Sequence, residues 1–205
     1  MLKNFDYSQN GWYFVTICTK NRECLFGEIV DNKMVLNKYG EIVNHCWLDI
    51  QKHYNNVELD VFQTMPNHIH GIIIIQNSNQ SVGNDPCVVP TNNYQVGHGD
   101  PTLQNNIRQQ QLLCRIIKCF KTITTKKYID GVNNNQFPRF DKQIWQRSFY
   151  DHIIRNENSL FKIRQYIRDN PQNWDKDRNN QALFINKKQS VWKVAAGAGF
   201  VATRP

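Results

Sequence analysis

The stretch TMPNHIHG, at residues 64–71, decides how this chain folds, and the apolar run IIII follows it at residues 72–75. Side chains alternate along a strand, so His68 and His70 project from one face and Ile69 points to the other. The apolar run has no polar face, which predicts a central strand that is covered on both sides. The pattern predicts two imidazoles held on a rigid strand, which is a starting point for a metal site. Two histidines alone do not define one, and they could equally be ordinary polar residues at a strand end.

Before this stretch, the residue patterns predict two strands, a hairpin and a helix. Aromatic and β-branched residues indicate one strand, alternation indicates another, and an apolar stripe at spacings of three and four indicates the helix, which Asn37 could cap. Asp31 and Asn32 suit the turn of the hairpin. In chain order, these elements are a strand at residues 12–19, a hairpin at 25–36, a helix at 37–54 and a strand at 57–64.

After the stretch, a long polar insertion precedes a helix, a strand and a second helix. The second helix begins at Asn156 or Asn158, and Pro171 is expected to end it, because the residue before a proline leaves the helical region. In chain order, these elements are a loop at residues 76–106, a helix at 107–125, a polar loop at 130–141, a strand at 143–150 and a helix that ends near residue 169.

This order of elements predicts an α+β fold of the ferredoxin-like (RRM-like) kind, in which helices back one antiparallel sheet. We expect one domain over residues 1–180, with a flexible insertion at about 77–106 that is dense in Asn, Gln, Gly, Pro and Ser. We expect residues 181–205 to form a poorly ordered tail.

The composition indicates a globular protein that binds a polyanion. Of 205 residues, 40% are hydrophobic and 12% aromatic, and no apolar run reaches the length of about 18 residues that a membrane span needs. The first residues lack a secretion signal, and the six cysteines show no paired spacing, so we expect reduced thiols in the cytoplasm. The net charge of +8 and the pI near 9.2 favour a nucleic acid as partner.

The last predicted helix offers a tyrosine to the histidine pair. Lys162, Tyr166 and Asn170 line up along the rim of its apolar side. The phenol of Tyr166 is a poor nucleophile at its free pKa of about 10, and a phosphodiester target must have its charge neutralised. A divalent cation on His68 and His70 would do so, and Asn170 could add a third ligand. The spacing suits Zn²⁺ as readily, but two histidines with an amide and phosphate oxygens favour Mg²⁺ or Mn²⁺.

Three segments carry a resemblance to a known family: MPNHIHG at residues 65–71, IWQRSFYDHIIRN at 144–156 and QYIRDNP at 165–171. In this order they resemble REP-associated tyrosine transposases, which belong to the single-tyrosine HUH transposases of bacterial insertion sequences. The resemblance covers roughly residues 12–174, and its specificity comes from the three segments together.

The resemblance implies a ferredoxin-like palm that binds single-stranded DNA, often beside a hairpin formed by a palindrome. It implies that His68 and His70 hold Mg²⁺ or Mn²⁺ on the scissile phosphate, with Asn170 where related transposases use a Gln ligand. It also implies that Tyr166 attacks the phosphorus, forms a 5′-phosphotyrosine link and leaves a free 3′-OH, and that a different 3′-OH reverses the step. Such enzymes work in the bacterial cytoplasm, on the nucleoid, as monomers or as homodimers.

Tyr150 is the rival nucleophile, because it lies beside Phe149 and close to His152 at the end of a predicted strand. No ligand residue is in phase with it, and the family motif favours Tyr166. His152 could position DNA or be structural. The remaining candidates for contact with DNA are basic or aromatic side chains: Arg147, Lys162, Lys118, Lys121, Lys126, Lys127, Trp145 and Phe149.

Two other classes of function stay open at this point. A sheet of this topology can bind single-stranded nucleic acid without catalysis, although the first strand lacks a clear aromatic binding motif. A metal-dependent hydrolase would use water as the nucleophile and leave Tyr166 structural. A covalent protein–DNA adduct would distinguish the transposase from both.

Overall fold

The computed structural model describes residues 10–76 and 112–180. Six strands lie in these residues: β1 (Gly11–Cys18), β2 (Gly27–Val30), β3 (Lys33–Leu36), β4 (Val57–Met65), β5 (His68–Ile75) and β6 (Tyr150–Ile154). Four of them form one sheet in the order β4-β5-β1-β6, in which each strand is antiparallel to its neighbours. The other two, β2 and β3, form a separate hairpin.

Four α-helices and two short 3₁₀ helices join the strands of the described residues. They are a 3₁₀ helix (Lys20–Arg22), α1 (Lys38–Leu48), α2 (Ile50–His53), α3 (Leu112–Asn133), α4 (Glu157–Asp169) and a second 3₁₀ helix (Pro171–Lys176). The four sheet strands, with α1 and α2 after the first and α3 after the third, have the connectivity and spatial order of the ferredoxin-like fold. The predicted fold class, α+β with an antiparallel sheet backed by helices, is confirmed.

The two faces of the sheet have different surroundings, because alternate residues of each strand point to opposite sides. We call one side the core face, which includes Tyr13, Val15, Ile17, Ile69 and Ile73. These side chains are fully buried in a large apolar cluster with residues of α1, α2 and α3. We call the other side the site face, which includes Phe14, Thr16, His68, His70 and Ile72. It is covered by α4, through a small cluster that contains Phe14, Ile72, Ile154, Leu160 and Ile167.

Several local predictions are confirmed. Asp31 and Asn32 adopt positive φ angles of 49° and 61° in the turn between β2 and β3, as a tight hairpin requires. Asn37 caps α1, since its Oδ1 accepts a hydrogen bond from the backbone nitrogen of Gly40 at 2.9 Å. The strand after Asn67 begins at His68, as predicted.

The predicted strand at residues 143–150 is wrong. Ile144 and Trp145 are consecutive and both buried, so the segment wraps around the end of β1 instead of alternating between two faces. It forms one isolated bridge, between Trp145 and Thr19, and the strand itself begins at Tyr150. The helix predicted to end near residue 125 continues to Asn133, where the polar loop was expected.

Helix α4 ends at Asp169, as predicted, but Pro171 does not end the helical backbone. Asn170, directly before it, has φ −58° and ψ −42°, and Pro171 opens the second 3₁₀ helix. The turn brings Asp177 back to the sheet, where its side chain is 5% exposed. The predicted insertion at 77–106 and the predicted tail at 181–205 lie outside the described residues. No helix of residues 10–76 and 112–180 has both the length and the apolar character needed to cross a membrane.

Gly71, at the centre of β5, lets a tryptophan lie flat against the core face. A Cβ at this position would stand 2.3 Å from Cζ2 of Trp47, which is fully buried on α1. Any larger residue would push α1 away from the sheet. The glycine that follows the histidine pair therefore serves the packing of the opposite face.

Candidate metal centre and active site

His68 and His70 lie side by side on the site face, where they are 0% and 2% exposed. Their Nε2 atoms are 3.0 Å apart. Burial lowers the pKa of His68 to about 3, with a further lowering from Arg22 and Arg178, and burial together with His68 lowers the pKa of His70 well below its ordinary value. Both imidazoles are therefore neutral at pH 7, which is the form that binds a metal.

Asn67 fixes the orientation and the tautomer of His68. Its amide nitrogen donates to the backbone oxygens of Arg22 and Asn179, both at 2.9 Å. Its Oδ1 therefore faces Nδ1 of His68, at 2.8 Å. A carbonyl oxygen only accepts, so Nδ1 carries the proton and Nε2 presents its lone pair to the centre of the site.

Thr16 supports His70 from the neighbouring strand, with Oγ1 at 2.8 Å from Nδ1. A hydroxyl both donates and accepts, so it suits either tautomer of the ring. In the metal-free protein, His70 can donate from Nε2 to the lone pair of His68. With a cation between the two Nε2 atoms, the His70 proton would move to Nδ1 and Thr16 would accept it.

Asp177 joins the two histidines to make a group that could hold a metal ion. One ligand atom from each of the three residues lies within 4.8 Å of the others. The Oδ2 atom of Asp177 is 3.8 Å from Nε2 of His68. The sequence analysis missed this residue, because its position depends on the 3₁₀ helix that follows Pro171 and no motif spacing indicates it.

Tyr166 lies on α4 with its hydroxyl directed at the histidine pair. The hydroxyl is 3.3 Å from Nε2 of His70, and the ring packs edge-on against Phe14. The side chain is 46% exposed, so an incoming strand of nucleic acid can reach it. Burial and the nearby charge of Asp177 raise the pKa of Tyr166, while a side-chain hydrogen bond with Asn170 lowers it. The net result is a phenol that is protonated at pH 7 in the metal-free protein.

Asn170, the predicted third ligand, caps the C-terminal end of α4 and is 3% exposed. Its Oδ1 is buried and has no hydrogen-bond partner. A buried carbonyl oxygen without a donor is costly, and a cation is one group that would satisfy it. Asp177 and Asn170 each have a side-chain oxygen that could serve as a ligand, which suits a cation that prefers oxygen ligands.

Tyr150, the rival nucleophile, lies on the same face but in a different place. It pairs in register with Thr16 on the opposite side from His70, so Thr16 stands between the two. The side chain is 49% exposed, and the guanidinium carbon of Arg178 lies 5.9 Å from its ring centroid. His152 is exposed on the same strand, opposite Phe14. Of the two tyrosines, Tyr166 is the one whose hydroxyl forms a hydrogen bond with the histidine pair.

The other basic residues predicted to contact DNA are divided between two places. Lys118, Lys121 and Arg147 line a groove of about 760 Å³ between α3 and residues 140–149. Lys118 and Arg147 are exposed, while Nζ of Lys121 donates to the backbone oxygens of Gln146 and Ser148 at 2.8 and 3.0 Å. Lys121 thereby fastens this segment to α3, and burial lowers its pKa to about 8.

Lys162 lies elsewhere, exposed on α4 in a cleft beside Tyr166. Arg178 and Arg22 add positive charge near the histidines, and the sequence analysis did not single them out. Asn67 and Thr16 were also missed as supports of the histidines. The signal for Asn67 was its place in the quoted motif, directly before His68.

Together, the sheet, the buried histidine pair and the helix-borne tyrosine define a ferredoxin-like α+β domain with a candidate metal centre on one face. The chain belongs to the same family as a Haemophilus influenzae protein described as uncharacterized. That protein is 38% identical over 178 residues, which cover 86% of this chain and 89% of the relative. No family model matches the chain.

Two solved structures are also similar to this chain. One is a REP-associated tyrosine transposase bound to a REP hairpin, with a TM-score of 0.44, 20% identity, and coverage of 83% of this chain and 73% of that one. The other is a candidate transposase from Deinococcus radiodurans, with a TM-score of 0.42, 15% identity, and coverage of 82% of this chain and 97% of that one.

Proposed function

We propose that this protein is a DNA transposase that cleaves and rejoins single-stranded DNA through a covalent phosphotyrosine at Tyr166. One observation carries the proposal: the Tyr166 hydroxyl lies 3.3 Å from Nε2 of His70, which lies 3.0 Å from Nε2 of His68. A nucleophile and two neutral metal ligands from distant parts of the chain thus meet at one point.

The donor set fits a divalent cation. The two neutral imidazoles and the carboxylate of Asp177 bring their ligand atoms within 4.8 Å of one another, and Asn170 adds a buried oxygen without a hydrogen-bond partner. We assign His68 and His70 as ligands, with Asn170 and Asp177 as candidates for the third position. Mg²⁺ or Mn²⁺ bound there would neutralise the phosphate charge, stabilise the leaving oxygen and favour the phenolate form of Tyr166.

The proposed reaction balances without an external energy source. The Oη atom of Tyr166 attacks the phosphorus, the new phosphorus–Oη bond forms, and the bond to the 3′ oxygen breaks. The phenol proton passes to solvent, and the departing 3′ oxygen takes up a proton to become a free 3′-OH. Another 3′-OH then attacks the phosphorus of the 5′-phosphotyrosine. This attack releases Tyr166 and joins the two DNA strands. Both bonds are phosphodiesters, so the step is close to neutral in free energy.

The surface around the site supports single-stranded DNA as the substrate. Tyr166 and Tyr150 are about half exposed on the site face. The backbone of a single strand can approach them closely because it has no paired second strand. We propose Lys162 and His152 as contacts to this strand. We propose the groove of Lys118 and Arg147, which Lys121 holds in place through the backbone of residues 146–148, as the surface for a flanking hairpin. The proposed catalytic groups meet within one chain, so the proposed site does not require a residue from a second copy.

One assay tests the proposal. The protein is incubated with Mn²⁺ and with labelled single-stranded DNA that carries a hairpin, and the products are separated on a denaturing gel. We expect a labelled band at the mass of protein plus DNA. Free cleavage products without that band would show that the protein is a hydrolase and would contradict the transposase. Binding of DNA without cleavage would show that it is a nucleic-acid-binding module.

A further inference from the structure

A cleft of about 430 Å³ opens on α4 directly beside Tyr166. Its volume lies in the range of small-ligand sites. We propose that this cleft holds the base of the nucleotide next to the scissile phosphate by stacking it on Phe161. The proposal rests on the function proposed above and adds a base-recognition site to it. The cleft is lined by Phe161, Lys162, Gln165, Tyr166, Asp169, Asn170 and Asn173.

Phe161 provides a stacking surface. Its ring is 68% exposed, the highest fraction among the exposed large hydrophobic side chains of residues 10–76 and 112–180. It lies on the outer side of α4, away from Leu160 and Ile167, which pack into the small cluster under the helix. A flat apolar ring held on a rigid helix beside the cation of Lys162 suits a nucleotide, because a base stacks on the ring and its phosphate meets the ammonium.

The polar groups of the cleft present both donors and acceptors. The amide nitrogen of Gln165 donates to Oδ2 of Asp169 at 2.8 Å, and the amide nitrogen of Asn173 donates to the backbone oxygen of Asp169 at 2.9 Å. Each amide nitrogen carries a second N–H, and each side chain also has a carbonyl oxygen, so this surface can meet the polar edge of any base. Stacking on Phe161 therefore carries the recognition, and stacking tolerates different bases.

The position of the cleft determines which nucleotide it would bind. Tyr166 and Asn170 line the same cleft, and the Tyr166 hydroxyl also faces the histidine pair. A base that stacks on Phe161 therefore has its own phosphate within a nucleotide's reach of the Tyr166 hydroxyl. Binding this base would hold the scissile phosphate in place for attack, which is a positioning role.

A thermodynamic cycle tests the stacking. Affinities for single-stranded DNA are measured by fluorescence anisotropy in a Tyr166→Phe background, with one abasic nucleotide moved along the strand. At the nucleotide beside the cleavage position, we expect the abasic change to weaken binding by about five- to a hundredfold when Phe161 is present. In Phe161→Ala the same abasic change should weaken binding by less than about twofold, because the stacking partner is gone. The matched control is Leu48→Ala, an exposed apolar residue at the end of α1, in which the abasic change should still cause the full loss of affinity.

The outcomes separate this proposal from the proposed function. If no abasic position is coupled to Phe161 while the wild-type protein still forms the covalent adduct, the base site is wrong and the transposase stands. If the coupling appears but no adduct forms, the base site stands and the transposase is wrong.

Discussion

The two faces of the sheet have opposite compositions, although they are built from the same strands. On the core face, Tyr13, Val15, Ile17, Ile69 and Ile73 are all completely buried in one large apolar cluster. On the site face, positions from the same strands are occupied by Thr16, His68 and His70, and the apolar cluster is limited to a few residues under α4. One face supplies most of the apolar burial, and the other holds buried polar groups in fixed positions.

The difference shows how a small domain can bear the cost of a buried polar site. Two imidazoles and a carboxylate buried without water are unfavourable unless each has a partner. Here Asn67 and Thr16 partner the histidines, while the large cluster on the other face stabilises the strands that hold them. Substitutions on the site face should therefore change chemistry with little change in stability, and those on the core face should do the reverse.

Tyr166→Phe should have the largest effect. Loss of the hydroxyl removes the nucleophile, so formation of the covalent DNA adduct should fall by more than about a thousandfold. The side chain is half exposed, so the unfolding midpoint should stay nearly unchanged. Adduct on a denaturing gel and thermal unfolding of the same preparation measure both quantities.

Tyr150→Phe is the matched control on the same face. It keeps the Tyr166 hydroxyl beside His70 and should retain adduct formation within a few-fold. Loss of the adduct in Tyr150→Phe, with retention in Tyr166→Phe, would assign the nucleophile to β6 and reverse the proposal.

Trp47→Ala should show the opposite behaviour. The indole is fully buried against Gly71 on the core face, and its removal should reduce the free energy of unfolding by about 3–5 kcal/mol. Denaturant unfolding measures this loss, with Val35→Ala, an exposed residue of β3, as the control. A loss below about 1 kcal/mol would show that the core face is not the main source of stability.

Asp177→Asn and Asn170→Ala should identify the third oxygen ligand of the metal. The change that removes a true ligand should weaken Mn²⁺ binding about 10- to 100-fold, and the other should have less effect. Calorimetric titration of the protein with Mn²⁺ measures the affinity without DNA. Unchanged affinity for Mn²⁺ in both variants would show that neither Asp177 nor Asn170 is a ligand of the metal.

Acidification should destabilise the metal-free protein through the site face. Burial holds the pKa of His68 at about 3 in the folded state, while the unfolded chain titrates near 6.5. The unfolded state therefore binds more protons between these values, and stability falls as the pH drops below about 6.5. The loss from His68 alone should be about 2 kcal/mol at pH 5 relative to pH 7.5. Unfolding in EDTA measures it, and His68→Gln should reduce the slope by this share while the share of His70 remains; an unchanged slope would contradict the buried neutral ring.

Much of the site could be predicted because it follows from local periodicity. Alternation along a strand placed His68 and His70 on one face, and helical spacing placed Tyr166 and Asn170 on one side of α4. Both patterns survive folding, since the strand and the helix are regular throughout these residues. That the strand of the histidines and the helix of Tyr166 meet at one site was expected from the chemistry of the residues and from the family resemblance.

Other features could not be predicted because they depend on tertiary packing. Asp177 reaches the histidines only because Asn170 stays helical before Pro171, against the usual preference of a residue in that position. Ile144 and Trp145 are both buried where the chain wraps around the end of β1, so alternation misidentified the segment as a strand. Lys121 appears in the sequence as a surface cation, but its ammonium is occupied by backbone oxygens.

The central claim is that two imidazoles from the sheet and a phenol from α4 share one cation. Anomalous diffraction from crystals soaked in Mn²⁺ tests this most directly. We expect one strong peak bonded to Nε2 of both His68 and His70, with the Tyr166 hydroxyl facing the space beside it where a phosphate would bind. A peak elsewhere, or a Tyr166 hydroxyl turned away from the ion, would contradict the account.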